Sequence, residues 1–241
     1  MKRVNNMLTR ILWSEWLKLK RTSLRWVVFV FFIAYSILMI WFSGNLFQYN
    51  NIVFEMYQAF FALCGILIPT CLSIYIGMIS LLEKNAGNFR NVIGSPFGKI
   101  KIFICKNILI NIVFSLSIVL STTLFLSGIN IFYNLALPIN LFFIGMVCIC
   151  FSCISLSAVY TTISFCCSIG TVIAIGIFSS LTAAIFLISP IGNAIWWLIP
   201  FSYPAVLPIV CFQNSHYSLV VCIIVTVLTF ISMLWLFKKM E

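Results

Sequence analysis

The sequence predicts an all-α membrane protein. It should have six transmembrane helices, both termini in the cytoplasm, an interface helix before the first span and a re-entrant element before the last. Three observations carry that prediction. Hydrophobic residues make up 63% of the chain and charged residues 7%, whereas a soluble domain carries roughly 25% charged residues. Six apolar runs are each long enough for a hydrocarbon core of about 30 Å, which takes about 20 helical residues. The 14 Lys and Arg residues fall in three blocks, and from Asn107 to Phe237 there is no Lys, Arg, Asp or Glu.

The apolar runs cover approximately residues 26–42, 54–82, 108–126, 137–159, 168–188 and 217–237. An even number of spans returns the chain to its starting side. The blocks Lys2 to Arg25, Lys84 to Lys106 and Lys238-Lys239 then share one side, and the three connections on the other side hold no cation. Lys and Arg mark the cytoplasmic side of inserted segments, and one span more or fewer breaks the agreement. The net charge of +10 is therefore juxtamembrane, suited to anionic headgroups. It has no soluble domain on which to meet nucleic acid. Trp26 and Trp235 fall at inner edges and Trp41, Tyr57, Tyr133 and Tyr217 at outer ones, where amphipathic rings sit at the headgroup level. Plain apolar filling accounts for any one of them equally well. No small-residue cleavage site follows the first run, so that run is expected to stay as an anchor.

Residues 8–22 form the interface helix. Arg10, Ser14, Lys18 and Arg21 make a polar stripe at helical spacing, with Leu8, Ile11, Leu12, Trp16 and Leu19 opposite, which suits a helix lying in the headgroup plane. Glu15 falls in the apolar sector. Its partner is either a basic group on a neighbouring protein, or Lys18 with headgroups and water. Residues 83–101 form the sizeable cytoplasmic connection. Gly87, Gly94, Pro96 and Gly98 divide it into a short helix and a turn. Phe89, Val92 and Ile93 would give that helix an apolar knob beside Arg90 and Asn91, which makes it a docking element; the alternative is an ordinary polar linker.

In the second span, Pro69 is expected to bend the helix and free a carbonyl. Glu55, at that span's outer end, either reaches water or meets a cationic cargo; at mid-bilayer a charge costs about 2.5–3.5 kcal/mol. Gly176, Ser180 and Ala184 recur at four-residue spacing with Ser179 and Ala183 alongside, a small-residue seam for close helix contact. Residues 189–210 are apolar yet carry Pro190, Pro200, Pro204, Pro208 and Gly192, so they cannot be one straight helix. Broken backbone at membrane depth must be buried in protein or face water. The segment reads as a re-entrant or capping element near an exit path. Trp196, Trp197 and Tyr203 on it, together with Glu55 and Pro69, are the candidate path residues.

The chemical inventory is nearly empty. The acids are Glu15, Glu55, Glu83 and Glu241, and the single His is His216. They form no His–carboxylate cluster, nucleophile elbow or metal motif. Most of the 10 Cys lie in apolar runs, where a thiol behaves as a small hydrophobe. Cys148-x-Cys150-x-x-Cys153 has no His or carboxylate beside it, and Cys148 lies off the Cys150/Cys153 face, so packing is favoured over ligation. The stretch Gly94 to Lys99 is one residue short of a phosphate-binding loop, and Ile100 stands where a hydroxyl should hold Mg²⁺. Ser, Thr and Cys within the spans have no base to activate them, which argues against a membrane-embedded enzyme. The architecture suits transport, but the chain has no nucleotide site and no intramembrane relay of acids.

Ser14-Glu15-Trp-Leu-Lys18-Leu-Lys20-Arg21-Thr22 resembles the Glu-x-x-Lys-x-Lys-Arg signature before the first span of type-2 ABC-transporter permeases. The loop with Glu83, Gly87, Arg90, Ser95-Pro96 and Lys106, and the stretch Pro200-Phe-Ser-Tyr-Pro204, are similar to that family too, so the likeness extends over nearly the whole chain as a single permease domain, 1–241. Length and style are most like the lantibiotic self-protection permeases of Gram-positive bacteria. The resemblance implies two permease chains, the same or different, paired in the bacterial plasma membrane, each docking a separate ATPase. Glu15, Lys18, Glu83, Gly87, Phe89, Arg90 and Asn91 would form the docking surface. ATP and Mg would sit on the ATPase, and this chain would need no cofactor and no metal. The cargo would be a cationic, ring-bearing antimicrobial peptide. Export of another lipophilic drug or ion, and a membrane immunity protein that sequesters without transport, are the alternatives. The connection between the fourth and fifth spans departs from the pattern: it is short and uncharged, and offers little second docking surface.

Overall fold

The computed structural model describes residues 12–20, 22–44, 52–85, 99–135, 137–189, 192, 195–213 and 215–239. Its helices are α1 (residues 12–20), α2 (Leu24–Ser43), α3 (Ile52–Asn85), α4 (Lys99–Tyr133), α5 (Ile139–Cys166), α6 (Ile169–Ile188), α7 (Tyr203–Gln213) and α8 (Ser215–Lys239), with 3-10 turns at Trp196–Leu198 and Pro200–Ser202. No strand occurs among the described residues. Helices α2 to α6 are each long and apolar enough to cross a membrane. At 1.5 Å per residue, the 34 residues of α3 and 35 of α4 measure about 50 Å, well beyond the ~30 Å hydrocarbon core. Both outrun the apolar stretches because their end turns carry charge: Glu83 and Lys84 close α3, and Lys99, Lys101 and Lys106 open α4. Helix α4 ends at Asn134, whose φ of 51° is left-handed; Asn tolerates that conformation better than most side chains.

Contact register fixes the direction of each helix. Along α2 and α4, Phe32 meets Phe114, Ser36 Oγ lies 2.7 Å from Ser121 Oγ, and the Tyr133 hydroxyl donates to Ile40 O at 3.2 Å. The numbers rise together, so the pair is parallel. Between α3 and α6, Lys84 Nζ donates to Cys167 O at 2.8 Å, Gly77 lies beside Ile169, and Gly176 lies beside Ser73. Those numbers run oppositely, so this pair is antiparallel. Helices α4 and α5 are antiparallel as well, through Asn107–Thr161 and Phe125–Phe142. Helices α2, α4 and α6 thus run one way and α3 and α5 the other. One end of the bundle collects α1, Glu83, Lys84 and Lys106. The opposite end collects Ile40, Phe54 and Tyr133.

The core is aromatic. Tyr57, Phe60, Phe61, Phe125 and Phe142 are fully buried and in mutual ring contact. Tyr57 therefore does not mark a membrane edge: its ring is inside, and its hydroxyl donates to Pro208 O at 2.8 Å. Position along a span does not reveal which face a ring takes. Trp26, Trp41 and Trp235 are exposed on the bundle surface.

Residues 196–213 are not one straight helix. Two 3-10 turns lead into α7, which packs along the first half of α3. A Cβ on Gly65 would lie 2.3 Å from Pro204 O, Pro208 O meets Tyr57, and Phe212 stacks near Phe54. Helix α7 thus starts at the depth of Gly65 and rises to the start of α3. Only a residue without a Cβ allows backbone to approach backbone this closely. Gly65→Val should separate α7 from α3 and lower stability by about 1–3 kcal/mol, read as a fall in the detergent melting temperature. Gly170→Ala, with nothing nearer than 3.9 Å, should leave that temperature unchanged.

Candidate functional site

The charged end of the bundle carries the most organised polar chemistry among the described residues. Helix α1 is drawn against it by its apolar edge: Leu19 belongs to the main core, and Leu12 and Trp16 pack on it. Glu15 lies on the same buried side and is only 7% exposed. It is paired with Lys18 one turn on. In the last turns of α3, Glu83 faces α4. Lys106 Nζ donates to Glu83 Oε2 at 2.7 Å, with Lys106 3% exposed. The same ammonium lies 5.2 Å from the centre of the Phe165 ring, so a cation–π contact joins α5 to the cluster.

Glu15, Lys18, Leu19, Glu83 and Lys106 line a single cavity of about 40 Å³, closed by apolar side chains of α3 and α4. Two carboxylates and two ammoniums balance within it. Glu83 and Lys106 are both buried, and either one left alone would suffer the cost of removal from water, whereas the Lys18 side chain is 57% exposed and its pairing with Glu15 contributes little. Glu83 Oε1 is buried with no hydrogen-bond partner among the described residues.

From Lys106 a polar ladder climbs the α4–α5 contact. Asn107 Nδ2 donates to Thr161 Oγ1 at 3.2 Å, and Asn111 Nδ2 donates to Ser157 Oγ at 2.8 Å. Asn107 and Asn111 are four residues apart, as are Ser157 and Thr161, so both pairs lie on facing helix stripes. Sequence reasoning passed over this ladder and the role of Lys106. The signal was present in the i, i+4 spacing of amides directly beyond the last charge.

The expected docking residues divide. Glu15, Lys18 and Glu83 meet at one cavity, whereas Gly87, Phe89, Arg90 and Asn91 lie outside the described residues. The expected path residues divide too. Trp196 is buried against Tyr203 at 6.2 Å between ring centres, and the Tyr203 hydroxyl donates to Trp197 O at 2.5 Å. Trp196 and Tyr203 form one core cluster with Cys148 and Cys211, whose sulfurs are 3.2 Å apart, while the Trp197 side chain is exposed. Glu55 is half-buried in the first turn of α3, where a carboxylate suits the helix dipole. Pro69 is buried mid-helix near Gly176. Glu55 and Pro69 are 14 positions apart in sequence, about 21 Å along α3, so they form no common site. Gly176 is in contact with Ser73 of α3, and the seam continues through buried Ser179 and Ala183, with Ser180 and Ala184 half-buried beside it.

A family model described as "ABC-2 family transporter protein" matches residues 11–164, from α1 through nearly all of α5. No curated protein and no solved structure matches this chain.

Nothing in the cluster is placed to make or break a covalent bond; its chemistry is that of holding α1, α3, α4 and α5 in one arrangement. Lys106→Ala, which strands Glu83, should cost about 3–5 kcal/mol. The double change Glu83→Gln with Lys106→Met removes both charges and should restore most of that loss. Thermal unfolding of the purified chain in one detergent, single against double variant, measures both.

Proposed function

The chain belongs to the ABC-2 family of transporter proteins, and from that premise we propose that it is the permease subunit of an exporter that expels a lantibiotic-type cationic peptide from the membrane. The observation that carries the proposal is the charged foot on which α1, α3 and α4 converge. The work is supplied by separate ATPase chains at the cytoplasmic face, with ATP and Mg bound there, and a second permease chain completes the pathway. Helix α8, 25 residues long, is the sixth span. It runs back to the charged end, since Phe230 reaches the level of Asn111 and Ile154. Both termini and the loop of residues 86–98 are then cytoplasmic, in accord with the positive-inside rule. The membrane is the bacterial plasma membrane.

The mechanism follows from the lock at the foot. The ATPase engages α1 together with Gly87, Phe89, Arg90 and Asn91. Closure of the ATPase pair moves α1 and the loop. Because Glu15, Glu83 and Lys106 share one cavity, that motion passes to α3 and α4 as a unit. Helix α3 carries it to α6 at Gly176 and to α7 at Gly65. The Trp196–Trp197–Tyr203 unit, set in the outer leaflet, is the part of the path that shifts, and Glu55 at the outer end of α3 attracts the departing cation. The stretch Glu15 to Thr22 and the chain's size support a peptide cargo of the self-protection kind.

In cells expressing the chain with its ATPase, peptide tolerance should rise at least tenfold. It should return to background when the ATPase is catalytically dead, and should fall markedly in Phe89→Ala and Arg90→Ala variants. A purified complex that lacks any ATPase, together with full export by those two variants, would contradict the proposal. Tolerance that survives a dead ATPase would mean sequestration instead of transport.

A further inference from the structure

We propose that Cys148 of α5 and Cys211 of α7 are the two halves of a reversible disulfide clamp, which a hydroperoxide closes and a thiol reductant opens. Their sulfurs lie 3.2 Å apart, and neither cysteine is in a disulfide. A disulfide bond measures about 2.05 Å, so each sulfur has to advance by only about 0.6 Å. The two residues are 63 positions apart in sequence and on different helices, so the fold itself brings them together.

The pairing is selective. Helix α5 carries Cys148, Cys150 and Cys153 within two turns. Cys153 belongs to the main core and Cys150 packs on it. Cys148 turns the other way, into the smaller cluster with Trp196, Tyr203, Val206 and Leu207, and Cys211 enters that cluster from the last turn of α7. A structural zinc site takes four ligands, and no group of three or more His, Cys, Asp or Glu able to hold a metal occurs among the described residues. Two adjacent thiols can instead give up two electrons and become one S–S bond. In the first step one sulfur attacks a peroxide oxygen. The O–O bond breaks, the thiol proton leaves with the departing oxygen as an alcohol or water, and a sulfenic acid remains. In the second step the other sulfur attacks the sulfenic sulfur. The S–S bond forms, and the hydroxyl leaves with the second thiol proton as water.

Helix α7 is the element such a bond would hold. It has 11 residues, fewer than an isolated helix needs for stability, and Pro208 removes one of its internal hydrogen bonds. In the closed cluster both thiols are buried, and buried thiols are inert. The first oxidation therefore takes place when α7 lifts from α5, and the second when it settles back. Once closed, the bond fixes α7 on α5, next to Trp196 and Tyr203. Cys148 lies nine positions into α5, about 14 Å from the end opposite the charged foot. On the proposed topology that is the outer leaflet, away from the thiol reductants of the cytoplasm; the chemistry of the pair does not rest on that reading.

The test uses the full-length chain, purified in detergent under reductant, freed of the reductant and treated with hydrogen peroxide. Mass spectrometry of its proteolytic peptides, with remaining thiols alkylated, should show the Cys148 and Cys211 peptides joined with the loss of two hydrogens. The oxidised chain should melt about 5–10 °C higher, and dithiothreitol should return it to the starting temperature. Cys148→Ser and Cys211→Ser should each abolish the rise, whereas Cys150→Ser should leave both link and rise in place. A wild-type chain whose other thiols oxidise while these two stay unlinked overturns the proposal. So does a sulfinic acid at either position in place of the link, a link without the rise in melting temperature, or a link that dithiothreitol does not reverse. These readouts need neither ATPase nor cargo, so the clamp and the export reading fail separately.

Discussion

Hydrocarbon offers the backbone no hydrogen-bonding partner, and every other property of this protein is arranged around that fact. Each N–H and C=O at membrane depth must be satisfied within the chain, which is why the described residues are helical almost throughout. Hydrophobic attraction between helices is weak when lipid is as apolar as leucine. The bundle instead coheres through close packing and polar contacts. Examples are the fused aromatic centre around Phe60, the Ser36–Ser121 hydrogen bond, and backbone approaches at Gly65 and Gly176. The same constraint governs the broken segment before α8. Its 3-10 turns are tolerated because Ser202 and Tyr203 return hydrogen bonds to Trp196 O and Trp197 O.

Charge obeys the complementary rule. Ion pairs at the edge of a membrane contribute little net stability, because desolvation offsets most of the attraction. Their value lies in geometry. Glu83 and Lys106 are 23 residues apart in sequence, joined by the segment that includes residues 86–98. The pair ties together the two helices that flank that segment. Helix α1 contributes Glu15 to the same cavity while its Leu19 enters the main core. A helix that would otherwise rest on the headgroups is thereby made part of the bundle. On the proposed reading, in which a separate ATPase moves the permease, such a joint would convert a push on the surface into a displacement of α3 and α4.

Much of this was legible in the sequence. Apolar length located the five long helices, because it depends on composition over many residues, and Lys84 and Lys106 of the second basic block do meet at one end of the bundle together with α1. Helical spacing alone places Glu15 among the apolar residues of α1; that this side faces the bundle and not the headgroups is seen only in the structure. What failed depended on which way a single side chain turns. Tyr57 sits where an edge residue should, yet faces inward. Gly176, Ser180 and Ala184 drift round the helix by about 40° per four-residue step at 100° per residue. The contact face therefore passes on to Ser179 and Ala183. The Lys106 pairing closes across a loop, and local pattern carries no information about such closures.

The central claim is that the foot formed by Glu15, Glu83 and Lys106 faces the compartment that holds ATP. Topology reporters fused after Gly87, after Gln48 and at the C-terminus test it most directly. Cytoplasmic signals at Gly87 and the C-terminus, with an external signal at Gln48, are the predicted result. An external Gly87 would place the foot on the wrong side of the membrane and contradict the account.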